Sequence, residues 1–203
     1  IMEAIKQLFN FNELNSLSVE KGRILISDPF LNDNYFSNSV ILLCELNEKG
    51  AFGLVLNNYI DENLSDFMND FQGTRSEKFK ISLGGPLDTD SIYYIHNRPD
   101  LIRGSIRIID DIYLGNGKKF GDLSSLIEEG KIKTNELKFF LGYSGWTSGQ
   151  LQEELNRNSW FVGNLSAKTI MNYQQEDIWK KTLEQMSEKH RVISNFPQNP
   201  LLN

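Results

Sequence analysis

Ser144 lies in the segment of this chain that comes nearest to a catalytic motif. The segment reads Gly142-Tyr143-Ser144-Gly145-Trp146, and we predict that it lies where a strand ends and a helix follows. Many hydrolases carry a nucleophilic serine at such a junction, but their motif needs a glycine two residues after the serine. Trp146 occupies that position here, and a tight turn with close backbone packing explains the glycines. The spacing therefore favours a structural turn over a nucleophile.

A serine nucleophile also needs a general base, and the chain has two histidines that could serve. His96 ends a predicted strand, whereas His190 falls in a basic run that we expect to be solvated. Nothing in the spacing brings either imidazole to Ser144. We predict no catalytic residue, and a hydrolase-like or nucleotide-acting enzyme that uses Ser144 with His96 remains an alternative.

Patterns of metal ligands and of cofactor-binding loops are missing from the sequence. Adjacent acidic pairs occur at 110–111 and 128–129, but side chains of sequence neighbours generally point apart, and no histidine accompanies them at ligand spacing. The Gly84-Gly85 turn lacks the later glycine and the lysine of a phosphate-binding loop. We therefore predict no metal and no cofactor.

Glycines and amides recur at predicted strand ends and indicate a surface that binds without reacting. The backbone N–H groups of Gly84 and Gly85 could face an anion, although a plain turn also explains them. Thr147 and Gln150 fit a capping box, which alone explains Gln150. Trp146 could line a pocket or belong to the core. We predict a concave ligand- or partner-binding surface bordered by Asn57, Gly84, Gly85, Ser144, Trp146 and Gln150.

The charge of the chain limits the class of partner. The 203 residues include 21 Lys and Arg against 27 Asp and Glu, which gives a net charge of −6 and a pI near 5.0. An acidic domain repels phosphate backbones unless its basic residues share one face, so we predict no direct contact with nucleic acid. The partner is left as an unidentified protein or small molecule.

Apolar runs and the cysteine content indicate where the protein works. The longest apolar run, Val40 to Cys44, has the length of a core strand and is far short of a membrane span. Cys44 is the single cysteine, and the N-terminal stretch lacks the pattern of a secretory signal. We expect a cytoplasmic protein without a membrane segment.

Strand patterns dominate the first two thirds of the chain, and helices are inserted without a βαβ rhythm. Short apolar runs bounded by turn residues predict strands at 23–27, 39–46, 51–56, 79–83, 91–95, 106–109, 113–114, 137–143 and 160–162. Helical spacing predicts helices that start near 63, 122, 148 and 178. This order predicts an α+β fold with a mostly antiparallel sheet. We predict one domain over 1–203, with an N-terminal helix at 1–18 and an extended tail at 195–203.

Several of these segments together resemble the YqgE/AlgH family of bacterial proteins. The resemblance runs from about residue 20 to the C-terminal tail, and it is carried by Gly22 to Pro29, Ser39 to Leu43, Gly50 to Asn57, Gly84 to Pro86, Gly142 to Trp146, Gly149 to Leu151 and Ser159-Trp160. It implies an α+β fold in which a branched sheet curls into a pseudo-barrel with flanking helices.

What the resemblance implies about function is limited. Some members of the family are labelled transcriptional regulators, so a regulator that acts on DNA directly or indirectly is a further alternative. The family supplies no catalytic residues that could be carried over to positions of this chain. Our leading hypothesis is a non-catalytic binding or regulatory protein.

Overall fold

The computed structural model describes residues 17–31, 33–115, 117, 120–172 and 177–195. The predicted N-terminal helix and C-terminal tail lie almost entirely outside these ranges. Within them the strands are β1 Ile24–Ser27, β2 Val40–Asn47, β3 Gly50–Val55, β4 Tyr59–Ile60, β5 Ile81–Leu83, β6 Leu87–His96, β7 Ile106–Ile109, β8 Ile112–Leu114, β9 Leu137–Thr147 and β10 Trp160–Gly163. The helices are α1 Leu64–Phe67, α2 Phe120–Glu128, α3 Gln150–Asn156, α4 Ala167–Ile170, α5 Ile178–Met186 and α6 Glu188–Ile193, with a 3₁₀ turn at Ser76–Lys78.

The ten described strands form one branched sheet. Its main path runs β10-β1-β2-β3-β9-β6-β8-β7 with antiparallel pairing throughout. β5 leaves this path by pairing in parallel with β9, and β4 pairs with β5. The α+β class is therefore confirmed, but the pseudo-barrel is not. Among the described strands the sheet stays open, because β10 and β7 end the path without pairing to each other.

β9 is the strand at which the sheet branches. Its first half pairs with β5 and β6, and its second half pairs with β3, where Ser144 faces Gly53 and Trp146 faces Ala51. We had predicted a strand that stops at Tyr143 and a junction with a helix at Ser144, and this is wrong. The strand continues to Thr147 because β3 supplies hydrogen-bonding partners that the local sequence does not reveal.

The two faces of the sheet bury different cores. One face packs Leu42, Leu54 and Phe140 against the C-terminal helices through Trp179 and Leu183. The opposite face is covered by α3 and by Leu31, Tyr35 and Phe36. Its buried residues include Leu25, Ile41, Val55, Trp146, Leu151 and Trp160. A further cluster packs α2 against β9 and β6 through Phe139, Tyr94, Leu123 and Ile127.

Two helix ends carry residues that are typical of helix termini. The Asp66 side chain accepts the backbone N–H of Asn63 at 2.8 Å and so caps the helix predicted to start near 63, but α1 ends after one turn at Phe67. Gly130 follows α2 with a φ of +72°, the left-handed conformation in which a glycine commonly ends a helix. The one-domain prediction stays a prediction, and the pairing of β1 with β10 supports it.

Candidate functional site

The Ser144 hydroxyl is a structural group inside the sheet. Its side chain is fully buried, and its Oγ donates a hydrogen bond to the Gly84 carbonyl oxygen at 3.0 Å. The same carbonyl accepts the backbone N–H of Val55 at 3.0 Å. The hydroxyl therefore ties the segment after β5 to β9 at the point where β3 also joins.

Ser144 lies near the C-terminal end of β9, whereas His96, the last residue of β6, lies beside the N-terminal end of β9. His96 pairs with Leu137, which is seven residues before Ser144 along the strand. At about 3.3 Å per residue, this places the two side chains roughly 20 Å apart. The pair cannot share a proton, directly or through one water.

The imidazole of His96 is occupied within its own loop. Its Nδ1 accepts the backbone N–H of Arg98 at 3.1 Å, so the proton lies on Nε2, which is 2.7 Å from the Ser105 Oγ. The ring stacks on Tyr113 at 5.6 Å and is fully buried. Burial lowers the pKa of His96 to about 4. His96 is thus a neutral structural side chain at pH 7.

His190 is buried, which corrects our expectation of a solvated residue. It is 3% exposed in α6, its ring lies edge-on to Phe161 at 4.9 Å, and its Nδ1 is 2.8 Å from the Ser187 Oγ. Burial lowers its pKa. The basic neighbours misled the prediction, because α6 turns this one side chain of the run toward the core.

Gly84 and Gly85 serve close packing of backbone on backbone. A Cβ on Gly85 would lie 1.9 Å from the carbonyl carbon of Tyr143, and one on Gly84 would lie 2.3 Å from the Gly142 oxygen. The Gly84 N–H donates to the Leu141 oxygen at 2.8 Å, and a backbone hydrogen bond joins Gly85 to the Tyr35 side chain. Both backbones are therefore engaged inside the protein, which leaves the predicted anion contact without support.

Trp146 and Gln150 belong to a hydrogen-bond network centred on Glu154. The indole N–H groups of Trp146 and Trp160 both donate to Glu154 Oε2, at 2.9 and 2.8 Å. Gln150 Nε2 donates to Glu154 Oε1 at 3.0 Å, and Gln150 Oε1 accepts the Thr147 N–H at 3.0 Å. Gln150 thus reaches back to the Thr147 N–H as predicted, but Thr147 does not cap the helix, which begins after Gly149 without a side-chain cap. Glu154, which is not among the predicted site residues, ties α3 to the strands β9 and β10.

Asn57 is held by internal partners as well. Its Oδ1 accepts the Val40 N–H at 2.9 Å, and its Nδ2 donates to the Asn38 oxygen at 2.8 Å. The structure thus brings Gly84, Gly85 and Ser144 together and joins Trp146 to Gln150, while Asn57 clamps the start of β2. Their part in binding stays a prediction. Trp146 also lines an open groove.

That groove, which we call the aromatic groove, contains three partly exposed rings from three strands. Phe52 of β3, Tyr143 of β9 and Tyr93 of β6 pack with ring centres 4.9, 5.5 and 5.6 Å apart. Gly145 leaves room beside them, because a Cβ there would lie 2.8 Å from Leu87 Cδ1 and 3.0 Å from the Tyr143 ring. The three rings pack against the core that the C-terminal helices cover.

Charged side chains form the rim of the aromatic groove, whose volume is about 500 Å³. Glu45 and Lys49 come from the β2–β3 hairpin, and Asp88 comes from the start of β6. Tyr93 donates its phenol proton to Asp88 Oδ2 at 2.7 Å. Burial, followed by the Asp88 carboxylate, raises the pKa of Tyr93, so the phenol stays protonated and remains a donor.

Asp88 reaches the groove through a distortion of its strand. The register of β6 against β9 shifts between Leu87 and Ile92, and Asp88 adopts a left-handed φ of +51°. Bulges of this kind re-aim side chains and recur beside functional sites. Left-handed backbone in a residue other than glycine is uncommon and is a reason to search for function.

Residues 24–191 match the model of the protein family described as AlgH-like. The chain belongs to this family. UPF0301 proteins are similar along most of their length: one from Bacteroides thetaiotaomicron is 38% identical over 93% of this chain and 94% of its own. One from Cytophaga hutchinsonii is 36% identical over 90% of this chain and 98% of its own.

Two solved structures share the AlgH-like fold of this chain. Protein DIP2367 from Corynebacterium diphtheriae superposes with a TM-score of 0.74 at 20% identity, covering 92% of this chain and 97% of the other. The AlgH protein from Pseudomonas aeruginosa, solved in solution, gives a TM-score of 0.69 at 23% identity, with 90% and 97% covered. At these identities the likeness concerns the fold alone.

Lys138 is a further buried ionisable group of the AlgH-like sheet. It is 1% exposed, its Nζ donates to the Ile170 oxygen at 3.1 Å, and the Nζ lies 5.5 Å from the centre of the Tyr59 ring. Burial lowers its pKa to about 7. Its carbonyl partner ties β9 to α4, which gives the residue a structural role.

The described residues also bear on three other kinds of site: a membrane span, a metal site and a second cavity. No described helix has the length and apolar character to span a bilayer. Over the same residues, no three His, Cys, Asp or Glu side chains gather as metal ligands. Another cavity, of about 480 Å³, is lined by Leu17, Val19, Gln152, Leu155 and Val162.

Proposed function

We propose that this AlgH-like protein is a non-catalytic binding protein that takes its ligand or partner in the aromatic groove. The observation that carries the proposal is the packing of Phe52, Tyr93 and Tyr143 at a groove of about 500 Å³. Ligand sites typically have volumes of about 300–1,000 Å³ and are lined by aromatic side chains with a few polar groups. The groove combines these properties.

A binding role fits the titratable groups better than a catalytic one. Ser144, His96 and Lys138 are each buried and hydrogen-bonded to groups of the protein. Acid–base catalysis needs a proton donor or acceptor that can reach a substrate. The groove instead offers aromatic surface and exposed charges, which favour recognition.

The six residues predicted from the sequence enter this proposal in two roles. Trp146 lines the aromatic groove and is retained as a binding residue. The other five, Asn57, Gly84, Gly85, Ser144 and Gln150, are proposed to hold the strands in the geometry that forms the groove. The groove thus replaces the glycine- and amide-lined surface as the contact face.

The buried cysteine and the net charge support a cytoplasmic location and a partner that is a protein or a small molecule. Cys44 is a buried free thiol, which supports a reducing cytoplasm as the site of action. A net charge of −6 disfavours direct binding to DNA, so a regulatory role would operate through a protein or small molecule.

A thermal-shift screen of the full chain against metabolites and nucleotides tests the proposal. A ligand present at about 100 times its Kd adds roughly 2.7 kcal/mol of stability. We expect compounds that raise the unfolding temperature of the unmodified chain and of Tyr113→Leu, but not of Tyr143→Leu. Tyr113 is a matched control because it is also a partly buried tyrosine of the sheet and lies outside the groove. Equal stabilisation of both variants would place the ligand elsewhere and contradict the proposal.

A further inference from the structure

We infer that the aromatic groove recognises a small organic cation that carries an alkylammonium group. This inference rests on the proposed function and names the chemistry of its ligand. It combines the geometry of the rings, the carboxylates at the rim and the size of the groove.

The rings form a corner that suits a cation. Tyr93 stands at 69° to Tyr143 with 5.6 Å between ring centres, so the two rings make walls that meet edge to face. Phe52 packs 4.9 Å from Tyr143 with the ring planes 32° apart, so it covers one face of Tyr143 and leaves the other face for a ligand. The face of an aromatic ring carries partial negative charge and attracts a cation within about 6 Å of its centre.

Asp88 places a fixed negative charge at this corner. The Tyr93 hydroxyl donates to its Oδ2 at 2.7 Å, which holds the carboxylate beside the ring. Its left-handed backbone and the register shift in β6 direct the side chain to the groove. An ammonium group over Tyr93 or Tyr143 would therefore meet both a ring face and a carboxylate.

The remaining charges of the rim leave it negative. Glu45 adds a second carboxylate, which accepts a hydrogen bond from Asn47 at 2.6 Å, and Lys49 adds one positive charge. Two carboxylates against one ammonium repel an anionic ligand and attract a cationic one. The negative charge of the whole chain acts in the same direction.

The size of the groove favours a free small molecule over a large surface contact. Its volume of about 500 Å³ lies within the range of small-molecule sites, and three strands of one sheet form its floor. A quaternary ammonium group fills an aromatic corner and needs no hydrogen bonds, because its methyl groups pack on the rings.

The test compares choline with its neutral isostere 3,3-dimethyl-1-butanol, titrated into the full chain and followed by ¹H–¹⁵N NMR. We expect saturable shifts at groove residues with choline and at least about fivefold weaker binding of the neutral alcohol, because it lacks the ring–cation attraction. Added sodium chloride should weaken choline binding, since the rim charges are exposed.

Asp88→Asn is the informative variant, and Asp110→Asn is its control. Both aspartates are exposed and left-handed, with φ of +51° and +42°, so asparagine keeps either backbone. Asp88→Asn should weaken choline binding about fivefold or more, whereas Asp110→Asn should change it less than about twofold. Equal effects of the two substitutions would overturn the assignment of Asp88.

The outcomes separate this inference from the proposed function. If the neutral alcohol binds at the groove as tightly as choline, or if an anion binds there instead, the inference of a cationic ligand is wrong. The proposal that the groove binds a ligand is then still supported. If choline and the alcohol both leave the groove residues unshifted while screened compounds bind there, only the inference of a cationic ligand is wrong. If no compound shifts the groove, both fail.

Discussion

At the scale of single residues, Ser144 supports the sheet. Replacing it with alanine removes one hydrogen bond to the Gly84 carbonyl, which keeps its bond from Val55. We expect Ser144→Ala to lower the free energy of unfolding by about 1 kcal/mol in chemical denaturation, and we expect any loss of ligand binding to accompany that loss of stability. Loss of binding at unchanged stability would instead give the hydroxyl a direct role.

His96 makes the stability of the protein depend on pH. Its pKa is lowered by burial from 6.5 to about 4, so between these values the unfolded chain binds a proton that the folded chain does not. The stabilisation is complete above pH 6.5 and is lost as the pH falls toward 4. The full effect is about 3 kcal/mol.

His96→Gln tests this linkage, because glutamine retains an N–H near the Ser105 hydroxyl but does not titrate. We expect the variant to be less stable at pH 7 and to lose less stability than the unmodified chain between pH 6.5 and 4.5. The measurement is the midpoint of urea unfolding at several pH values. Parallel pH profiles for the two chains would show that His96 is not the titrating group.

At the scale of elements, Gly85 fixes how closely the segment after β5 approaches β9. An alanine Cβ there would lie 1.9–2.1 Å from backbone atoms of Tyr143 and Ser144. Because backbone cannot move away cheaply, we expect Gly85→Ala to cost about 4 kcal/mol or more. Gly104→Ala is the control: its φ of +81° is strained for alanine, but nothing lies within 4 Å, so the cost should be about 1 kcal/mol. Similar costs for both would refute the packing argument.

Glu154 holds α3 on the sheet through two indoles and Gln150. Glu154→Ala removes the acceptor that Trp146 and Trp160 share, and we expect it to cost about 2–3 kcal/mol. Glu153 is its neighbour on the same helix and makes an exposed pair with Arg157 at 3.2 Å, so Glu153→Ala should cost less than about 0.5 kcal/mol. Unfolding followed by tryptophan fluorescence compares the stability of the two variants. An equal loss of stability would contradict the role of Glu154 in holding α3 on the sheet.

The sequence predicts elements well where the pattern is local. β1, the β2–β3 hairpin, β7 and β10 follow from apolar runs bounded by turn residues. β9 was cut short because Gly142 and Gly145 are typical of turns, whereas here they let strands approach closely. β4 has two residues and exists through its pairing with β5, which no local pattern shows.

At the scale of the whole molecule, the candidate groove depends on strand order. Phe52, Tyr93 and Tyr143 are far apart in the chain, and they meet because β9 lies between β3 and β6. Alternation in the strands could have placed each ring on a face, but only the topology places them on the same face. The family resemblance predicted the α+β class and the branching. The pseudo-barrel that the resemblance also implied is not formed by the described strands.

The central claim is that ligands bind at the aromatic groove, and an NMR map of the full chain tests it most directly. The chain is titrated with each compound that raises its unfolding temperature, and backbone amide shifts are assigned. We expect the largest shifts at residues 45–52, 87–93 and 143–146, which line or flank the groove. Largest shifts around 17–19 and 152–162, where the other cavity lies, would contradict the claim.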